Sequence, residues 1–298
     1  MAERAGMRAG ETAEGPTIVE AIGLAENYLA RNGVPSARTN AEHLLADGIG
    51  CSRLDLYLRF DQHIEPGVLS AVREKLRLRA TRYPLQYLLG GVEFFSLPFS
   101  VREGVFIPRP ETELLVERVE AIMAGRGEAR FVELGTGTGV IAATLAVRHP
   151  GWRGISFDRN PDAAQLAREN LERLGAADRV GLFVADGFNS IDPAARFDLL
   201  VSNPPYVPTG DIDELEAEVS RFESRIALDG GLEGLDFHRA IAAAAAALLR
   251  PGGAIALEIG ADQKPAVETV LAEAGFERIE TAKDYNGLER VVTAARPA

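Results

Sequence analysis

Apolar positions recur with a helical period between residues 17 and about 82. In "TIVEAIGLAENYLARNGV", Ile18, Ile22 and Leu29 lie near one face, and Gly33 ends the run. Ser36 is suited to cap a second helix, and "EPGVLSAVREKLRLRATR" carries apolar residues at the same spacing. This pattern predicts a small helical bundle over residues 17–85, with no catalytic constellation inside it.

The period changes toward alternation after residue 83. The stretch "GVEFFSLPFSVREGVFIPR" is rich in Phe and Val, with Gly104 as a turn residue. We therefore expect a β-hairpin within residues 86–108 that links two domains. A helical pattern resumes at Pro110, which suits a first helical turn, and Glu111 and Glu113 then lie near the positive end of that helix.

Strand and helix patterns alternate from residue 130 onward. Short apolar runs, stopped near Gly, Asp or Asn, are separated by amphipathic stretches such as "PDAAQLARENLERLG". The runs are "ARFVELG", "RGISFD", "RVGLFVAD", "FDLLVSN" and "AIALEIG", with two more strands around residues 278–281 and 289–294. This alternation predicts an α/β fold, a doubly wound and mostly parallel sheet, over residues 109–298.

The net charge of the chain favours some classes of binding partner over others. The chain has 298 residues and a formal net charge of −12. An acidic chain is not attracted to a phosphate backbone, so direct nucleic-acid binding is disfavoured. The same balance favours a basic protein partner or a cationic small molecule.

Several site and targeting classes are disfavoured by residue usage. The single cysteine excludes an intrachain disulfide, and the four histidines form no H-x-x-x-H pair, so we expect no metal site. No apolar run approaches the ~18 residues of a membrane span. The acidic N-terminus lacks the apolar core of a signal peptide. We expect a cytoplasmic protein with a disordered tail over residues 1–16.

A glycine-rich turn stands between the first strand and first helix of the α/β region. Glycines permit close backbone approach there, and a helix N-terminus follows. Asp158 lies about 20 residues beyond, where Rossmann-like folds place the carboxylate that binds ribose hydroxyls. A tight turn without a ligand is the alternative. The loop residues are Gly135, Thr136, Gly137, Thr138 and Gly139.

The loop sequence favours one cofactor. Dinucleotide sites use G-x-G-x-x-G, whereas this loop reads G-T-G-T-G and is preceded by Glu133. A carboxylate there would repel a pyrophosphate and suit a cation such as S-adenosylmethionine. "ELGTGTG" with Asp158 resembles the cofactor motif of class I methyltransferases. By this resemblance, Asp186 takes the place of a polar residue that lies near the adenine in that class. An aspartate that only ends the strand in a turn is an equally good interpretation of Asp186.

The "NPPY" stretch follows the fourth strand of this region, at the strand end that faces the glycine loop. Asn203 offers an acceptor oxygen and a donor amide, Pro204 and Pro205 stiffen the backbone, and Tyr206 offers a flat face for stacking. A planar substrate with an NH2 group fits such a site, because two acceptors would bind both hydrogens and aim the nitrogen at an activated methyl. We expect Asn203, Pro204 and Tyr206 to be catalytic.

The motif resembles the [D/N]-P-P-[Y/F] signature of amino methyltransferases. "PLQYLLGGVEFFSLPFSV", "FIPRPETELLVE", "ALDGGLEGLDFHR" and "LEIGADQ" extend the likeness to the HemK/PrmC family of release factor glutamine N5-methyltransferases, from about residue 17 onward. The resemblance implies a Rossmann-like methyltransferase domain, S-adenosylmethionine as cofactor, and the glutamine of the Gly-Gly-Gln motif of class 1 release factors as substrate. It further implies an N-terminal domain that docks the release factor, and we expect a monomer.

The resemblance implies that the cofactor is bound by the five loop residues together with Asp158, Asp186, Gly187 and Asn203. It implies that the substrate glutamine is bound by residues 203–206. Two positions depart from the family pattern. Gly187 replaces an aromatic contact to the adenine, so another residue would stack there, and Ser224 replaces a proline.

Three alternatives remain open on the sequence. An adenine-N6 methyltransferase of DNA or RNA uses the same motif, but it needs a basic strand-binding surface. A ribosomal-protein glutamine methyltransferase differs after the hairpin, where this chain reads "PRPETE". A methyltransferase fold that only docks a partner is disfavoured by the intact loop and motif.

Overall fold

The computed structural model describes residues 15–192 and 194–298. It divides into two units, the first ending at Leu89 and the second comprising Gly90–Ala298. Residues 1–14 of the expected tail lie outside the described residues. Pro16 is held in the first unit, because its carbonyl accepts a hydrogen bond from Ile64 N at 3.0 Å.

The first unit is helical. Its α1 begins at a capping box in which Thr17 and Glu20 exchange side-chain and backbone hydrogen bonds. The helices are α1 (Ile18–Arg31), α2 (Ala37–Ile49), α3 (Arg53–Leu58), α4 (Pro66–Ala80) and α5 (Leu85–Leu89). Buried side chains from the first four, among them Ile22, Leu45, Leu56 and Val72, form its main apolar core. The helical period of the sequence is thus the period of this core.

The predicted hairpin forms at the start of the second unit. Strands β1 (Gly91–Phe94) and β2 (Leu97–Ser100) pair antiparallel. Phe94 and Phe99 are buried in the core that also covers one face of the large sheet. The hairpin is therefore built into the α/β unit.

Seven strands form one sheet in the order β5-β4-β3-β6-β7-β9-β8. The first five are parallel, whereas β9 is antiparallel to both neighbours. The seven strands are β3 (Ala129–Leu134), β4 (Trp152–Asp158), β5 (Val180–Val184), β6 (Phe197–Ser202), β7 (Leu249–Glu258), β8 (Glu277–Lys283) and β9 (Glu289–Ala295). The predicted α/β fold with a mostly parallel sheet is confirmed.

Helices cover both faces of this sheet. They are α6 (Glu111–Ile122), α7 (Val140–Arg148), α8 (Pro161–Arg173), α10 (Asp236–Leu248) and α11 (Lys264–Glu273). The unit also has a short helix numbered α9 (Ala217–Phe222) and 3-10 turns at Phe188–Ser190, Ile212–Glu214 and Arg225–Ala227. In β3, Phe131 packs into the core with α6, α7 and α8, while Val132 packs into the core with α10 and α11. Successive apolar residues thus serve opposite faces, which explains the continuous apolar runs.

The strand order reverses at β3, whose neighbours are β4 and β6. The connections that follow β3 and β6 run toward opposite edges of the sheet, so a crevice opens beyond the carboxyl ends of these two strands. Among the described residues, no helix combines the length and apolar character needed to span a membrane.

Asn170 of α8 connects the hairpin to the glycine loop. The side chain is fully buried; its Oδ1 accepts from Ser100 N at 2.9 Å, and its Nδ2 donates to Ser100 O at 3.1 Å and to Thr138 O at 2.8 Å. One amide group therefore satisfies three backbone groups from two separate segments.

Replacing Asn170 with alanine leaves these backbone groups without partners in a buried place. We expect Asn170→Ala to lower the thermal unfolding midpoint by roughly 5 °C or more, because each unsatisfied buried group costs about 1–3 kcal/mol. The matched control is Asn286→Ala, at an exposed position of the same unit. Equal midpoints for the two variants would contradict this account.

Candidate functional site

A cleft lies at the carboxyl ends of β3, β4, β5 and β6 in the second unit. It encloses about 1120 Å³, counting the part open to solvent. Most of the sequence-predicted site residues line it: Gly135, Thr136, Gly137, Thr138, Asp158, Asp186, Gly187, Asn203, Pro204, Pro205 and Tyr206. Gly139 is not among the lining residues; it lies behind them as the residue that precedes α7. The structure therefore brings the glycine loop and the "NPPY" stretch to one cleft.

The glycine loop needs its glycines for two reasons. Gly135, Gly137 and Gly139 have φ values of +79°, +53° and +82°, a region that side chains disfavour. A Cβ on Gly139 would also lie 3.0 Å from the Cβ of Ala167 in α8, so the helices could not keep this spacing. Gly135 N donates to Phe157 O at 2.9 Å, which fixes the loop to β4.

Asp158 ends β4 directly beside the loop. Its Oδ2 accepts from Gly137 N, and its Oδ1 accepts from Asn160 N, both at 2.9 Å. Burial raises the pKa of this carboxyl, and the two backbone donors oppose the rise. The carboxylate is thus fixed between the loop and the start of α8, with its side chain on the cleft.

Glu133 lies behind the loop and does not line the cleft. It is fully buried; its Oε2 accepts from Ser156 Oγ at 2.6 Å, and Oε1 has no hydrogen-bond partner among the described residues. Burial raises the pKa of this carboxyl to about 8. The sequence argument treated Glu133 as a negative charge beside the cofactor, whereas this side chain is buried and does not line the cleft.

The "NPPY" stretch begins one residue after β6. Asn203 Nδ2 donates to Thr112 Oγ1 at 3.1 Å, and Tyr206 OH donates to Glu258 Oε1 at 3.3 Å. The Tyr206 carbonyl accepts from Gln263 Nε2 at 2.9 Å. The amide, the ring and the backbone of this stretch are therefore each held by a different element.

Asp186 and Gly187 follow β5 and line the cleft. Gly187 has a φ of +79°, so the chain turns sharply at this point. Phe188 turns inward and packs edge-on against Phe157, with ring centroids 5.3 Å apart. The aromatic side chains that do line the cleft include Phe106 and Phe237.

Sequence reasoning missed the segment between the hairpin and α6, together with the first turn of that helix. Phe106, Pro108 and Thr112 line the cleft. Buried Glu223 holds this segment, because it accepts from Ile107 N at 3.3 Å and pairs with the Arg109 guanidinium. The available signal was the "FIPRPETE" motif, which carried a resemblance without an assigned role. Ser224, which replaces a proline of the family pattern, also lines the cleft.

Sequence reasoning also missed Glu258, the last residue of β7. Its side chain is 1% exposed and accepts from Thr112 Oγ1 at 2.7 Å. Burial raises the pKa of this carboxyl to about 7, and the hydroxyls of Thr112 and Tyr206 oppose the rise. Among the described residues, no group of three or more His, Cys, Asp or Glu side chains is arranged to hold a metal ion.

The buried Glu133 carboxyl predicts a pH-dependent stability. Its pKa is about 8 in the folded protein against an ordinary 4.5, so the unfolded chain binds fewer protons between these values. Stability is then lost as pH rises from about 4.5 to 8. Glu133→Gln removes this loss, and its unfolding midpoint should exceed that of the unmodified protein by a margin that widens from pH 5 to pH 8.

Thermal unfolding across this pH range checks the prediction. Glu277→Gln, at an exposed position, serves as control and should show no such widening. A constant difference between Glu133→Gln and the unmodified protein at pH 5 and pH 8 would refute a titrating Glu133.

Comparison with known proteins shows which family the chain resembles. A family model described as the PrmC N-terminal domain matches residues 20–90, and one described as the methyltransferase small domain matches residues 99–219. Among solved structures, a methyltransferase from Pyrococcus furiosus superposes with a TM-score of 0.52 at 18% identity, covering 69% of this chain and 91% of that one. That likeness concerns the fold.

Relatives that match more than nine-tenths of the chain share a higher sequence identity with it. The release factor glutamine methyltransferase of Geobacter sulfurreducens is 43% identical over 276 residues, which cover 93% of this chain and 95% of the relative. The protein of the same name from Moorella thermoacetica is 41% identical over 94% of this chain and 99% of its own length. The chain therefore belongs to the release factor glutamine methyltransferase family.

Proposed function

We propose that this protein transfers a methyl group from S-adenosylmethionine to the side-chain amide nitrogen, N5, of a glutamine in a release factor. The substrate residue is the glutamine of the Gly-Gly-Gln motif of class 1 peptide chain release factors. The observation that carries this proposal is the position of Asn203–Tyr206, which line the same cleft as the glycine loop at the reversal of strand order. Family membership supplies the substrate class.

The residues of the cleft fit S-adenosylmethionine. The loop backbone at Gly135 and Gly137 lines the cleft without side chains, which leaves room for a ligand against it. Asp158 offers carboxylate oxygens that suit ribose hydroxyls and a positively charged ligand. When bound, the cofactor supplies a methyl group already activated on a sulfonium. Its proposed binding residues are Gly135, Thr136, Gly137, Thr138, Gly139, Asp158, Asp186, Gly187 and Asn203.

Gly139 belongs to this set through the backbone, since it shapes the loop without lining the cleft. Gly187 has no ring to stack on the adenine, so we assign the stacking role to Phe106 or Phe237, two of the aromatic rings that line the cleft. Phe188 is a poorer candidate, because it packs edge-on against Phe157 and is not among the residues that line the cleft.

Asn203, Pro204, Pro205 and Tyr206 hold the glutamine. The Asn203 oxygen and a carbonyl of the proline pair accept the two hydrogens of the substrate amide, and the Tyr206 ring fixes its plane. An amide nitrogen is a weak nucleophile because its lone pair is delocalised. Holding both N–H bonds aims the nitrogen and stabilises the positive charge that develops on it. The proton then leaves to water, so no strong base is needed at the start.

The helical unit that ends at Leu89 is the proposed docking domain for the release factor. The cleft is lined by residues from Gly104 onward, which all belong to the second unit, so the helical unit is free for a separate task. The net charge of −12 suits a basic protein partner better than a nucleic acid. We propose a monomer that acts in the cytoplasm, where translation ends.

Mass spectrometry of a purified class 1 release factor, after incubation with the protein and labelled S-adenosylmethionine, tests the proposal. We expect one added methyl on the glutamine of the Gly-Gly-Gln motif. A release factor with that glutamine replaced by alanine is the control and should gain none. Labelling of a ribosomal protein or of nucleic acid in parallel reactions, without labelling of the release factor, would overturn the proposal.

Two substitutions should separate transfer from cofactor binding. Asn203→Ala removes an acceptor for the substrate amide, so kcat should fall by roughly 10²-fold or more while the cofactor Kd stays almost unchanged. Asp158→Ala should weaken cofactor binding first. Calorimetric titration and single-turnover transfer measure both quantities.

Exposed Asn286→Ala and Asp262→Ala are the matched controls for these variants. If Asn203→Ala reduced cofactor affinity as strongly as it reduced the rate, the role assigned to Asn203 would be wrong.

A further inference from the structure

A buried carboxylate stands behind the "NPPY" stretch without facing the cleft. Glu258 is 1% exposed and is not among the lining residues, yet both of its oxygens are engaged by cleft residues. Oε2 accepts from Thr112 Oγ1 at 2.7 Å, and Oε1 accepts from Tyr206 OH at 3.3 Å. Neither Glu258 nor Thr112 has a part in the function proposed above.

When Glu258 is ionised, the hydrogen bonds fix the direction of every donor in this network. An ionised carboxylate only accepts, so the single proton of the Thr112 hydroxyl must point at Glu258. The Thr112 oxygen is then left with lone pairs and can only accept from Asn203, 3.1 Å away. Asn203 must therefore turn its NH2 toward Thr112, and its Oδ1 is the oxygen that remains for the cleft.

This direction matters because the two ends of an asparagine amide are opposite in character. With Oδ1 toward the cleft, Asn203 accepts a hydrogen from a substrate NH2. With Nδ2 toward the cleft, two NH2 groups would face each other and repel. Burial of Thr112, which is 2% exposed, keeps water from replacing its hydroxyl in the network.

We propose that Glu258 acts through Thr112 as a positioning residue that holds the Asn203 oxygen toward the substrate amide. The inference rests on the function proposed above. Glu258 at the same time fixes the Tyr206 hydroxyl, so one carboxylate sets both the acceptor and the stacking ring. Its role is to orient other groups, and it touches neither substrate nor cofactor.

The ionised state of Glu258 is required for this role. The charged and titratable groups around the carboxyl are Arg290 on β9, which favours the anion, Glu111 on α6, which disfavours it, and the Tyr206 hydroxyl. Asp284 pairs with Arg290 at 3.0 Å, and His238 Nε2 lies 3.0 Å from the backbone carbonyl oxygen of Glu258. A protonated Glu258 can donate to Thr112, which frees the Thr112 hydroxyl to donate and lets the Asn203 amide reverse.

Thr112→Val tests the network with an isosteric side chain. We expect kcat for glutamine methylation to fall by roughly 10- to 100-fold with little change in the cofactor Kd, because the amide loses its orientation and the cofactor-binding residues are unchanged. Thr112→Ser keeps the hydroxyl and should recover most of the rate.

Thr144→Val is the matched control. Thr144 is fully buried in α7, and its hydroxyl has no hydrogen-bond partner among the described residues, so its removal should change kcat by less than about twofold. Thermal unfolding midpoints of all variants show whether a reduced rate reflects impaired folding. A stable Thr112→Val protein with unchanged kcat would overturn the proposal.

Glu258→Gln gives a second readout that a purely structural role would not move. In the unmodified protein, kcat should fall as pH decreases through about 7, since protonation of Glu258 lets it donate and releases the network. Glu258→Gln does not titrate, so this limb should vanish from its pH profile even though its rate is lower at every pH. The same limb in both proteins would contradict the role of Glu258.

Failure of this inference is distinguishable from failure of the proposed function. Mass spectrometry of the release factor treated with the unmodified protein reports glutamine methylation independently of either variant. Methylated glutamine together with an unaffected Thr112→Val protein rejects the network and leaves the function intact. Absence of methylated glutamine with the unmodified protein rejects the function itself.

Discussion

The parallel pairing of β3 with β6 is the constraint on which the cleft depends. Its register sets Leu134 beside Ser202, so both strands end together. Ser202 Oγ donates to Leu134 O at 2.7 Å and fixes this common end. The next residues, Gly135 and Asn203, are consequently neighbours, and a Cβ on Gly135 would lie 3.5 Å from Asn203 O. A cofactor loop and a substrate-binding turn thus begin side by side.

Features with a local sequence signal could be predicted. The helical period, the alternation of strands and helices, the glycine loop, Asp158 and "NPPY" each occupy a short stretch, and the parallel sheet brings their ends to one edge. The pairing of Thr112 with Glu258 could not be predicted, because the two residues meet across 146 positions of chain and each is an ordinary residue in its own segment. Pairing at such distance follows from tertiary packing alone.

Glu133 shows a different limit of sequence reasoning. Its place two residues before the loop suggests a charge beside the ligand, but residues 131–134 of β3 are all buried, because helices cover both faces of the sheet. Burial of such a residue depends on the layers packed over each face of the sheet, which the sequence of one strand does not define. The hairpin shows the same point for domains: its alternation is evident in the sequence, whereas its packing into the α/β core through Phe94 and Phe99 is not.

Asn170 limits how the hairpin can be exchanged in engineered chimeras. The β2 strand and the glycine loop share one side-chain amide, so a shift of the hairpin displaces the loop backbone at Thr138. Chimeras that exchange the hairpin between relatives must keep the Ser100 backbone in register with Asn170. The hairpin and the glycine loop would therefore have to be transplanted together, because one side-chain amide sets the spacing of both.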